Sequence, residues 1–441
     1  TCAASFAGCA GVLPSDDDGR TTRPSTQSTA TAMTWEERTE LGIQKHRTTT
    51  LDVCVTDESG PVSGATVSVD MQRHAFNFGT AIDAARVVDS SGQNAKYRHW
   101  LSSLFEAAVF EWRHKWRHWE TPAQRQMVSD AFRWLRQHDL SVRGHTVIWQ
   151  ALDIDVVPQN VLERLPPTST ADRAYIDERA TGHVQDIVGH YGNQVTDWDV
   201  VNEHIGSHTL TDAIAPEEDY LHTSALVDWF ETAAAAAPNT DRYVNEYNVL
   251  AGDDGRHRER VVTLLDYLVD STAPIDGLGM QGHFASAEEA IDPPELYRRL
   301  DMLSSLGLTL QITEYDTYGP GWTEAAEADH LEGVLKTLYS HPAAEGFYVW
   351  GFWDGSHWQD NAPFFREDWS TKPAYDVYTD LVFNQWWTDE RGNTDGGHYR
   401  TDAYLGDYEI TAFYQGREQT VRETVSDPTT VSKVVINFDG E

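Results

Sequence analysis

Two apolar segments of this sequence each end on a glutamate, and this repeated pattern constrains the fold more than any other feature. Residues 195–203 (VTDWDVVNE) are typical of a buried strand that ends on Asn202 and Glu203. Residues 308–316 (LTLQITEYD) are apolar and β-branched as far as Glu314. A single glutamate at a strand end is usually an exposed loop residue. Two of them on otherwise apolar strands indicate that both carboxyl groups face one site.

Strand-like and helix-like segments alternate along most of the chain. Eight segments are predicted as strands: 76–82, 108–111, 142–149, 195–203, 242–247, 275–281, 308–314 and 346–350. Amphipathic segments between them are predicted as helices, among them 127–138, 173–190, 226–237, 258–270 and 325–340. This alternation predicts an α/β fold, a closed parallel (β/α)8 TIM barrel, in which all strands end at one mouth. The two glutamates would therefore lie at the same mouth.

The chain outside the barrel is predicted to consist of a leader, a small β-element and a C-terminal tail. Residues 1–47 are predicted as a processed or flexible leader, because residues 11 to about 34 are rich in Ser, Thr, Asp and Pro. Residues 48–75 are predicted as a small N-terminal β-element, 76–385 as the barrel, and 386–441 as a C-terminal β tail packed on it. The β-element is expected to support the barrel, the alternative being a small sugar-binding module.

The charge of the chain limits its partners. It has 33 Lys and Arg residues against 70 Asp and Glu residues, a net charge of −37. Nucleic acid and anionic membranes are therefore poor partners. Acidity spread along the whole chain predicts either a salt-loving source or an ordinary acidic secreted enzyme. Outside the N-terminal region the 441 residues contain no run of about 18 or more apolar residues, so no membrane-spanning segment is predicted.

The three cysteines, at positions 2, 9 and 54, cannot all pair within the chain. Cys9 follows Phe6-Ala-Gly, and small residues before a cysteine resemble a lipoprotein processing site. If processing occurs there, Cys9 carries a lipid anchor and the protein is tethered at the cell surface. The alternative is an unprocessed, disordered tail. We expect an extracellular protein, secreted or lipid-anchored, that is a monomer.

Polar and aromatic side chains gather at several predicted strand ends. Amides and carboxylates can pair with sugar hydroxyls, and flat aromatic rings can stack on sugar C–H faces. One tryptophan alone is more often a core residue, but several beside two glutamates indicate a carbohydrate cleft. Glycoside hydrolysis requires two such carboxyl groups. The side chains at these ends include His145, Trp149, Asn245, Tyr247, Gln281, His283, Trp350, Trp353 and Trp358.

Three other chemistries lack the residues that they need. No Gly-x-Ser-x-Gly motif supplies a serine nucleophile. His114 and His118 are spaced for one face of a helix, but no acidic ligand lies between them and no His-Glu-x-x-His motif occurs. The sequence has no glycine-rich phosphate loop with a following Lys-Ser/Thr. We therefore expect neither a metal nor a cofactor.

Five motifs, in their order and spacing, resemble glycoside hydrolase family 10, the endo-β-1,4-xylanase family. They are residues 143–149 (RGHTVIW), 198–203 (WDVVNE), 281–283 (QGH), 312–316 (ITEYD) and 350–354 (WGFWD). The resemblance extends from about residue 48 to the C-terminus, and the layout is similar to that of plant-type members. It implies a retaining endo-glycosidase that acts on xylan or a related β-linked polysaccharide.

The resemblance also implies roles for individual residues. Glu203 would be the acid/base and Glu314 the nucleophile, with Asn202 binding the sugar and His283 hydrogen-bonded to Glu314. The charge of Glu314 should raise the pKa of Glu203, and His283 should keep Glu314 ionised. The predicted substrate-binding residues are Glu111, Lys115, His145, Trp149, Asn245, Tyr247, Gln281, Asp316, Trp350 and Trp358.

The sequence departs from the family pattern Glu-Asn-x-x-Lys-Trp, which reads EWRHKW at residues 111–116. Glu111 and Lys115 match, whereas Trp112 replaces the asparagine that would contact a sugar hydroxyl. Gln150 stands where the family has a histidine. These changes leave the two-carboxyl chemistry intact and put the glycone subsites in question. The alternatives are a hydrolase of another β-linked glycan and a carbohydrate-binding protein without catalysis.

Overall fold

The structure, a computed structural model, describes residues 33–252 and 255–439. The candidate lipidation site at Cys9 and most of the predicted leader lie outside the described residues. No helix in the described ranges is long and apolar enough to cross a membrane.

The described residues contain thirteen α-helices. They are α1 (Trp35–Arg47), α2 (Ala84–Val88), α3 (Gln93–Leu104), α4 (Trp116–Trp119), α5 (Pro122–Gln137), α6 (Gln159–Leu162), α7 (Thr170–Tyr191), α8 (Thr209–Ile214), α9 (Ser224–Ala236), α10 (Gly255–Asp270), α11 (Pro293–Ser304), α12 (Glu324–Ser340) and α13 (Pro373–Asp380). Several begin at side-chain caps: Ser169 accepts from the Asp172 N–H, and Thr323 accepts from the Ala326 N–H.

The strands fall into one large sheet and two small ones. They are β1 (Thr48–Asp57), β2 (Gly60–Pro61), β3 (Thr66–His74), β4 (Asn77–Ile82), β5 (Ala107–Phe110), β6 (Ser141–Gly144), β7 (Ile148–Trp149), β8 (Asp197–Asn202), β9 (Asp241–Glu246), β10 (Gly277–Met280), β11 (His283–Phe284), β12 (Thr309–Thr317), β13 (Ala344–Val349), β14 (Asp389–Asn393), β15 (His398–Tyr404), β16 (Gly406–Tyr414), β17 (Arg417–Val425) and β18 (Ser432–Asn437).

Eight strands close into a parallel barrel. Their order is β10-β9-β8-β6-β5-β4-β13-β12, and β12 pairs back with β10. Because helices cover the outside and side chains fill the inside, β5 and β8 are buried at every residue. Burial explains the continuous apolar sequence of β5, whereas the aspartates of β8 are buried as partners of Arg143. The predicted barrel is confirmed, and each of the eight predicted strands overlaps an observed one. The third predicted strand is interrupted, as β6 and β7.

The N-terminal β-element and the C-terminal tail form one β-sandwich. One sheet has the order β15-β1-β18, with β2 paired to β1, and the other has the order β14-β3-β16-β17. From the sequence, residues 48–75 and 386–441 are predicted as two separate additions. They combine because neither segment alone has two apolar faces to bury, whereas together they enclose a separate core.

The sandwich contacts the barrel at the end opposite the carboxyl mouth. The Arg73 guanidinium, on β3, donates hydrogen bonds to the carbonyls of Glu106 (3.0 Å) and Asp139 (2.9 Å). These carbonyls precede β5 and β6, at the amino ends of the barrel strands. This position agrees with a supporting role for the β-element.

The last part of the predicted leader is helical, which corrects the boundary at residue 47. Within α1, Thr39 and Ile43 are buried, and the Thr39 hydroxyl lies 2.9 Å from the Tyr297 hydroxyl. Arg47 donates to the carbonyls of Tyr339 (2.6 Å) and Ala344 (2.6 Å). Polar anchors rather than a long apolar stripe hold this helix on the barrel, so hydrophobic periodicity did not reveal it.

Candidate active site

Glu203 and Glu314 both lie at the carboxyl mouth of the barrel. Glu203 directly follows β8 with a positive φ of 54°, and its N–H donates to the Asn245 carbonyl at 2.9 Å. The carbonyl of Glu203 accepts from the N–H groups of Gly206 (3.2 Å) and Ser207 (2.9 Å). The chain therefore turns sharply at Glu203, and this turn directs its side chain into the mouth. Glu314, in the last part of β12, is 4% exposed.

The surroundings of Glu203 favour its protonated form. Burial raises the pKa of Glu203 to about 7, and the negative charges of Glu314 and Glu246 add to the rise. Gln281 opposes this shift, because its Nε2 donates to Oε1 of Glu203 at 2.8 Å. The structure thus favours the predicted direction, with burial as a larger cause than the neighbouring carboxylate.

Glu314 is held in its ionised form. Burial alone would raise its pKa, but the hydrogen bond from His283 and the electrostatic effects of His145 and His283 outweigh burial and lower it. His283 Nε2 lies 3.1 Å from Oε2 of Glu314, and Asn245 Nδ2 donates to Oε1 at 2.6 Å. The two carboxyl groups of the site therefore have pKa values that are shifted in opposite directions.

His283 lies between two carboxylates. Its Nδ1 is 2.7 Å from Oδ1 of Asp316, and its Nε2 contacts Glu314. Burial opposes protonation, yet the charges and hydrogen bonds of Asp316 and Glu314 raise the pKa of His283 to about 10. Trp358 Nε1 donates to the second oxygen of Asp316 at 2.7 Å. At neutral pH, His283 is a cation that donates from both ring nitrogens.

Asn245 connects the two glutamate-bearing strands. Its Nδ2 donates to Glu314 and, at 2.8 Å, to Oδ1 of Asn202, so both amide hydrogens have acceptors. The Thr313 hydroxyl donates to Oδ1 of Asn245 at 2.6 Å, which fixes the orientation of the amide. Asn202, the residue before Glu203, is therefore linked to Glu314 through one side chain.

A buried ion-pair network lies inside the barrel next to these residues. The Arg143 guanidinium is fully buried and pairs with the carboxylates of Asp197 and Asp199. Asp199 also accepts from His145 Nδ1 at 2.9 Å, and that nitrogen lies 4.0 Å from Oε1 of Glu314. Because a buried charge is costly unless it is paired, this network fixes the position of His145.

Lys115 lies between two tryptophan rings. Its ammonium is 3.9 Å from the centroid of the Trp112 ring and 4.7 Å from that of Trp149, and the residue is only 4% exposed. Burial lowers the pKa of Lys115 to about 8, although the negative charges of Glu314, Glu111 and Glu203 act to raise it. Burial also raises the pKa of Glu111. Both predicted residues are thus next to the two catalytic candidates.

The remaining predicted residues divide between the cleft and the packing beside it. Trp350 is only 7% exposed, and its ring packs edge-on against those of His145 (5.3 Å) and His283 (6.2 Å). The hydroxyl of Tyr247 lies close to Gly206, in the turn after Glu203. A Cβ atom placed on Gly206 would be 2.5 Å from this hydroxyl. Trp350 therefore supports two histidines and offers little surface to a ligand.

Gln150 does not lie at the glycone subsites, contrary to the prediction from the sequence. Its side chain is completely buried and accepts from the N–H groups of Leu210 (2.8 Å) and Thr211 (3.0 Å), at the start of α8. Its amide nitrogen lies 3.0 Å from Nδ1 of His204. The side chain thus supports the loop after Glu203 and offers no surface to a sugar. Of the two departures from the family pattern, only Trp112 lies in the cleft.

Glu246, Asp199 and Thr313 were absent from the predicted site, although they contact it. Glu246 is fully buried and accepts from the Ile205 N–H at 2.9 Å, which anchors the turn after Glu203. Burial raises its pKa. An acidic residue in a buried strand, such as Asp199, is the signal that could have identified these residues. No group of side chains able to hold a metal ion is present among the residues described.

Comparison with known proteins gives a family match. The family model of glycosyl hydrolase family 10 matches residues 68–381. Endo-1,4-beta-xylanase 2 of Arabidopsis thaliana is 27% identical over 383 residues, which cover 86% of this chain and 32% of that protein. A protein of Acetivibrio thermocellus named anti-sigma-I factor RsgI6 is 30% identical over 394 residues, 88% of this chain and 48% of that protein. The chain thus spans about half the length of these relatives, or less.

Solved structures show the same fold. Native xylanase 10B from Thermotoga maritima superposes with a TM-score of 0.60 at 21% identity, over 70% of this chain and 96% of that chain. Xylanase 10B from Thermotoga petrophila in complex with xylobiose gives a TM-score of 0.61 at 20% identity, over 70% and 95%. At such identities the likeness establishes the architecture of the barrel.

Proposed function

The chain belongs to glycosyl hydrolase family 10, and from that membership we propose that it is a retaining endo-glycosidase that hydrolyses β-1,4-xylan by double displacement. One observation carries the proposal: the pKa of Glu203 is raised to about 7, whereas that of Glu314 is lowered. A proton donor and an ionised carboxylate at one mouth are the two groups that a retaining mechanism requires.

In the first step, an oxygen of Glu314 attacks the anomeric carbon of the sugar and forms a covalent bond to it. The bond from that carbon to the leaving oxygen breaks, and Glu203 transfers its proton to this oxygen. His283 and Asn245 hold the Glu314 carboxylate through hydrogen bonds of 3.1 and 2.6 Å, which limits its motion before attack. The leaving half of the polysaccharide then departs with the proton.

In the second step, Glu203 is ionised and accepts a proton from a water molecule. The water oxygen attacks the anomeric carbon, and the bond to Glu314 breaks, which returns both carboxyl groups to their starting states. The Gln281 side chain donates to Glu203 at 2.8 Å and therefore stabilises its ionised form between the steps. Two inversions at the same carbon give net retention of configuration.

The names of related proteins favour xylan as the substrate. Relatives from Arabidopsis thaliana and Paenibacillus barcinonensis are named endo-1,4-beta-xylanases, and a structural neighbour is described in complex with xylobiose. Trp112, at the cleft, leaves another β-linked glycan as the alternative. Release of reducing sugar from xylan, cellulose and mannan decides between them, and activity on cellulose or mannan alone would rule out xylan.

Two measurements test the double displacement. Proton NMR of the first product should show the β-anomer before mutarotation, and an initial α-anomer would contradict retention. Glu314→Ala should abolish turnover, and azide should restore it with formation of an α-glycosyl azide, because azide replaces the missing nucleophile. Wild-type turnover in this variant would refute the assignment of Glu314.

A second candidate is recognition of a polysaccharide without cleavage. The observation in its favour is that the relative at 30% identity is named an anti-sigma factor. The intact constellation of Glu203, Glu314, Asn245 and His283 argues against it. Binding of xylo-oligosaccharides without any release of reducing sugar would support this candidate and refute the enzyme.

We also propose that the protein acts outside the cell, because a polymeric glycan is not accessible from inside. Cys9 is the candidate attachment point for a lipid. Mass spectrometry of the N-terminal peptide after expression of the full gene tests this, since a diacylglyceryl group should be found on Cys9. An unmodified Cys9 peptide would show that the protein is not anchored there.

A further inference from the structure

The turn that carries Glu203 has a strained backbone. Glu203 has a positive φ of 54°, a left-handed conformation that is unfavourable for a residue other than glycine. Such a conformation persists only where the surrounding contacts fix it. The turn continues through residues 204–206 at the carboxyl mouth of the barrel. The contacts that hold this turn therefore also determine where the side chain of the acid/base points.

The end of the neighbouring strand β9 holds the turn at two consecutive residues. The Asn245 carbonyl accepts from the Glu203 N–H at 2.9 Å. The next residue, Glu246, is fully buried, and its Oε1 accepts from the Ile205 N–H at 2.9 Å. A backbone carbonyl thus fixes the start of the turn, and a buried carboxylate fixes the part that follows Glu203.

His257 faces Glu246 from helix α10. Its Nε2 lies 3.5 Å from Oε2 of Glu246, and neither of these buried atoms hydrogen-bonds to any other group of the described chain. Burial raises the pKa of Glu246, whereas His257 and the Ile205 N–H oppose this rise. The His257 ring also packs against that of Tyr247 at a centroid distance of 4.6 Å. His257 therefore limits the motion of the Glu246 carboxylate.

The charge of Glu246 also acts on Glu203. Burial is the main cause of the raised pKa of Glu203, and the negative charges of Glu314 and Glu246 add to the rise. The hydrogen bond from Gln281 and the charge of Lys115 oppose it. Loss of the Glu246 carboxylate should therefore both loosen the turn and make Glu203 a stronger acid.

We propose that Glu246 is a positioning residue for the acid/base, and that His257 holds Glu246 in this role. Glu246 ties the turn at Glu203 to the end of β9, so that the acid side chain stays directed at the leaving oxygen. The proposal rests on the proposed function for the role of Glu203. Glu246 takes no part in the chemistry itself, because it is fully buried and its two oxygens face the Ile205 N–H and His257. A substrate that needs no acid should therefore depend little on Glu246.

The test compares phenyl and 2,4-dinitrophenyl β-xylobiosides, which have a poor and a good leaving group. Glu246→Leu removes the acceptor and should lower kcat/KM at least about tenfold for the phenyl glycoside, but by less than about twofold for the dinitrophenyl glycoside. Glu246→Gln keeps one acceptor oxygen and should retain most of the activity on both. For the phenyl glycoside, the alkaline limb of the pH profile of Glu246→Gln should lie at lower pH than in the wild type. Equal losses of Glu246→Leu on the two substrates, or no loss, would overturn the proposal.

Two further substitutions complete this comparison. Glu106→Leu is the matched control, because burial also raises the pKa of Glu106 and its carboxylate also accepts one backbone N–H, at the opposite end of the barrel. Its ratio of kcat/KM between the two substrates should equal that of the wild type. His257→Leu removes the partner of Glu246 and should change this ratio in the same direction as Glu246→Leu, and it carries the test if Glu246→Leu does not fold. A wild-type ratio in His257→Leu would refute the role of His257.

Hydrogen exchange separates this proposal from the proposed function. If the wild-type protein cleaves neither glycoside, the enzyme assignment fails, and exchange of the Ile205 N–H still decides whether Glu246 holds the turn. This amide should exchange at least about tenfold faster in Glu246→Leu than in the wild type, because it loses its acceptor. In Glu106→Leu it should exchange at the wild-type rate. An unchanged rate in Glu246→Leu would refute the tie between Glu246 and the turn.

Discussion

His283 lies with its Nε2 3.1 Å from Oε2 of Glu314, so that an imidazolium supports the buried carboxylate. Its other nitrogen is 2.7 Å from Asp316, and the two acids raise the pKa of His283 to about 10. One cation thus offsets two buried negative charges. Glu314 and His283 therefore stabilise each other's charge: His283 lowers the pKa of Glu314, and Glu314 raises the pKa of His283.

His283→Ala should move the acid limb of the pH profile to higher pH. Without the imidazolium, burial of Glu314 is opposed by fewer interactions, so its pKa rises and less of it is ionised at a given pH. We expect kcat/KM on an aryl glycoside to fall by about 100-fold at pH 6. His99→Ala, at an exposed position on α3, is the control. An acid limb identical to that of the wild type would contradict this role.

Glu203→Ala should affect substrates according to their leaving groups. The pKa of about 7 for Glu203 predicts that kcat/KM of the wild type falls as pH rises through about 7, because the acid loses its proton. In the variant this limb should vanish. Cleavage of a poor leaving group should slow by roughly 100-fold to 10,000-fold, while release of 2,4-dinitrophenolate should change little. Equal losses for both leaving groups would exclude Glu203 as the acid.

Glu106 should make stability depend on pH between about 4.5 and 8. Its Oε1 accepts from the His74 N–H, Oε2 has no hydrogen-bond partner within the described part of the chain, and burial raises its pKa from 4.5 to about 8. In this range the unfolded chain has released the proton that the folded protein keeps, so stability falls as pH rises. Glu106→Gln should flatten this fall, and its Tm should exceed that of the wild type most clearly at pH 8. Glu418→Gln, at an exposed position, should leave the Tm profile unchanged, and a Glu106→Gln profile parallel to that of the wild type would refute the prediction.

Gln150→Leu should destabilise the protein without changing its chain-length preference. The substitution leaves the N–H groups of Leu210 and Thr211 without their acceptor, at a cost of about 1–3 kcal/mol. Chemical denaturation measures this loss. The ratio of kcat/KM between substrates with one and two xylose units should stay as in the wild type. A changed ratio would show that Gln150 acts on the glycone side after all.

Stability should rise with salt. At a net charge of −37 the folded chain repels itself, and the screening length falls from about 10 Å at 0.1 M to about 3 Å at 1 M salt. We expect Tm in NaCl to increase over this range, whereas sucrose at equal osmolality should have a smaller effect. A Tm already at its maximum in dilute buffer would favour an ordinary acidic secreted protein.

The barrel was predictable because its signal is local and repeated. In β5 and β13, burial of nearly every residue favours an apolar segment, so such strands are visible in the sequence by themselves. Helix α1 and the joined β-sandwich were not predicted in this form. Their stability depends on partners hundreds of residues away, such as Tyr297 for Thr39, and no local pattern encodes such pairs.

The residues of the site also fall into two groups: those that sequence motifs predict and those whose role depends on tertiary packing. Glu203, Glu314, Asn202 and His283 follow from motifs at strand ends. In the structure His283 contacts Glu314 directly, and Asn202 is linked to Glu314 through Asn245. Trp350 lies in a clear motif and Gln150 directly follows one. In the structure, however, Trp350 packs beside two histidines, and Gln150 is buried against the loop after Glu203.

The sequence by itself determined the barrel, the family resemblance and the two carboxyl groups, because each depends on residue types and their order and spacing along the chain. Only the tertiary structure decided how those groups are charged. Burial and the distances between side chains from different strands raise the pKa of Glu203 and lower that of Glu314. The same packing brings Trp112 and Trp358 to one cavity, although 245 residues lie between them in the sequence.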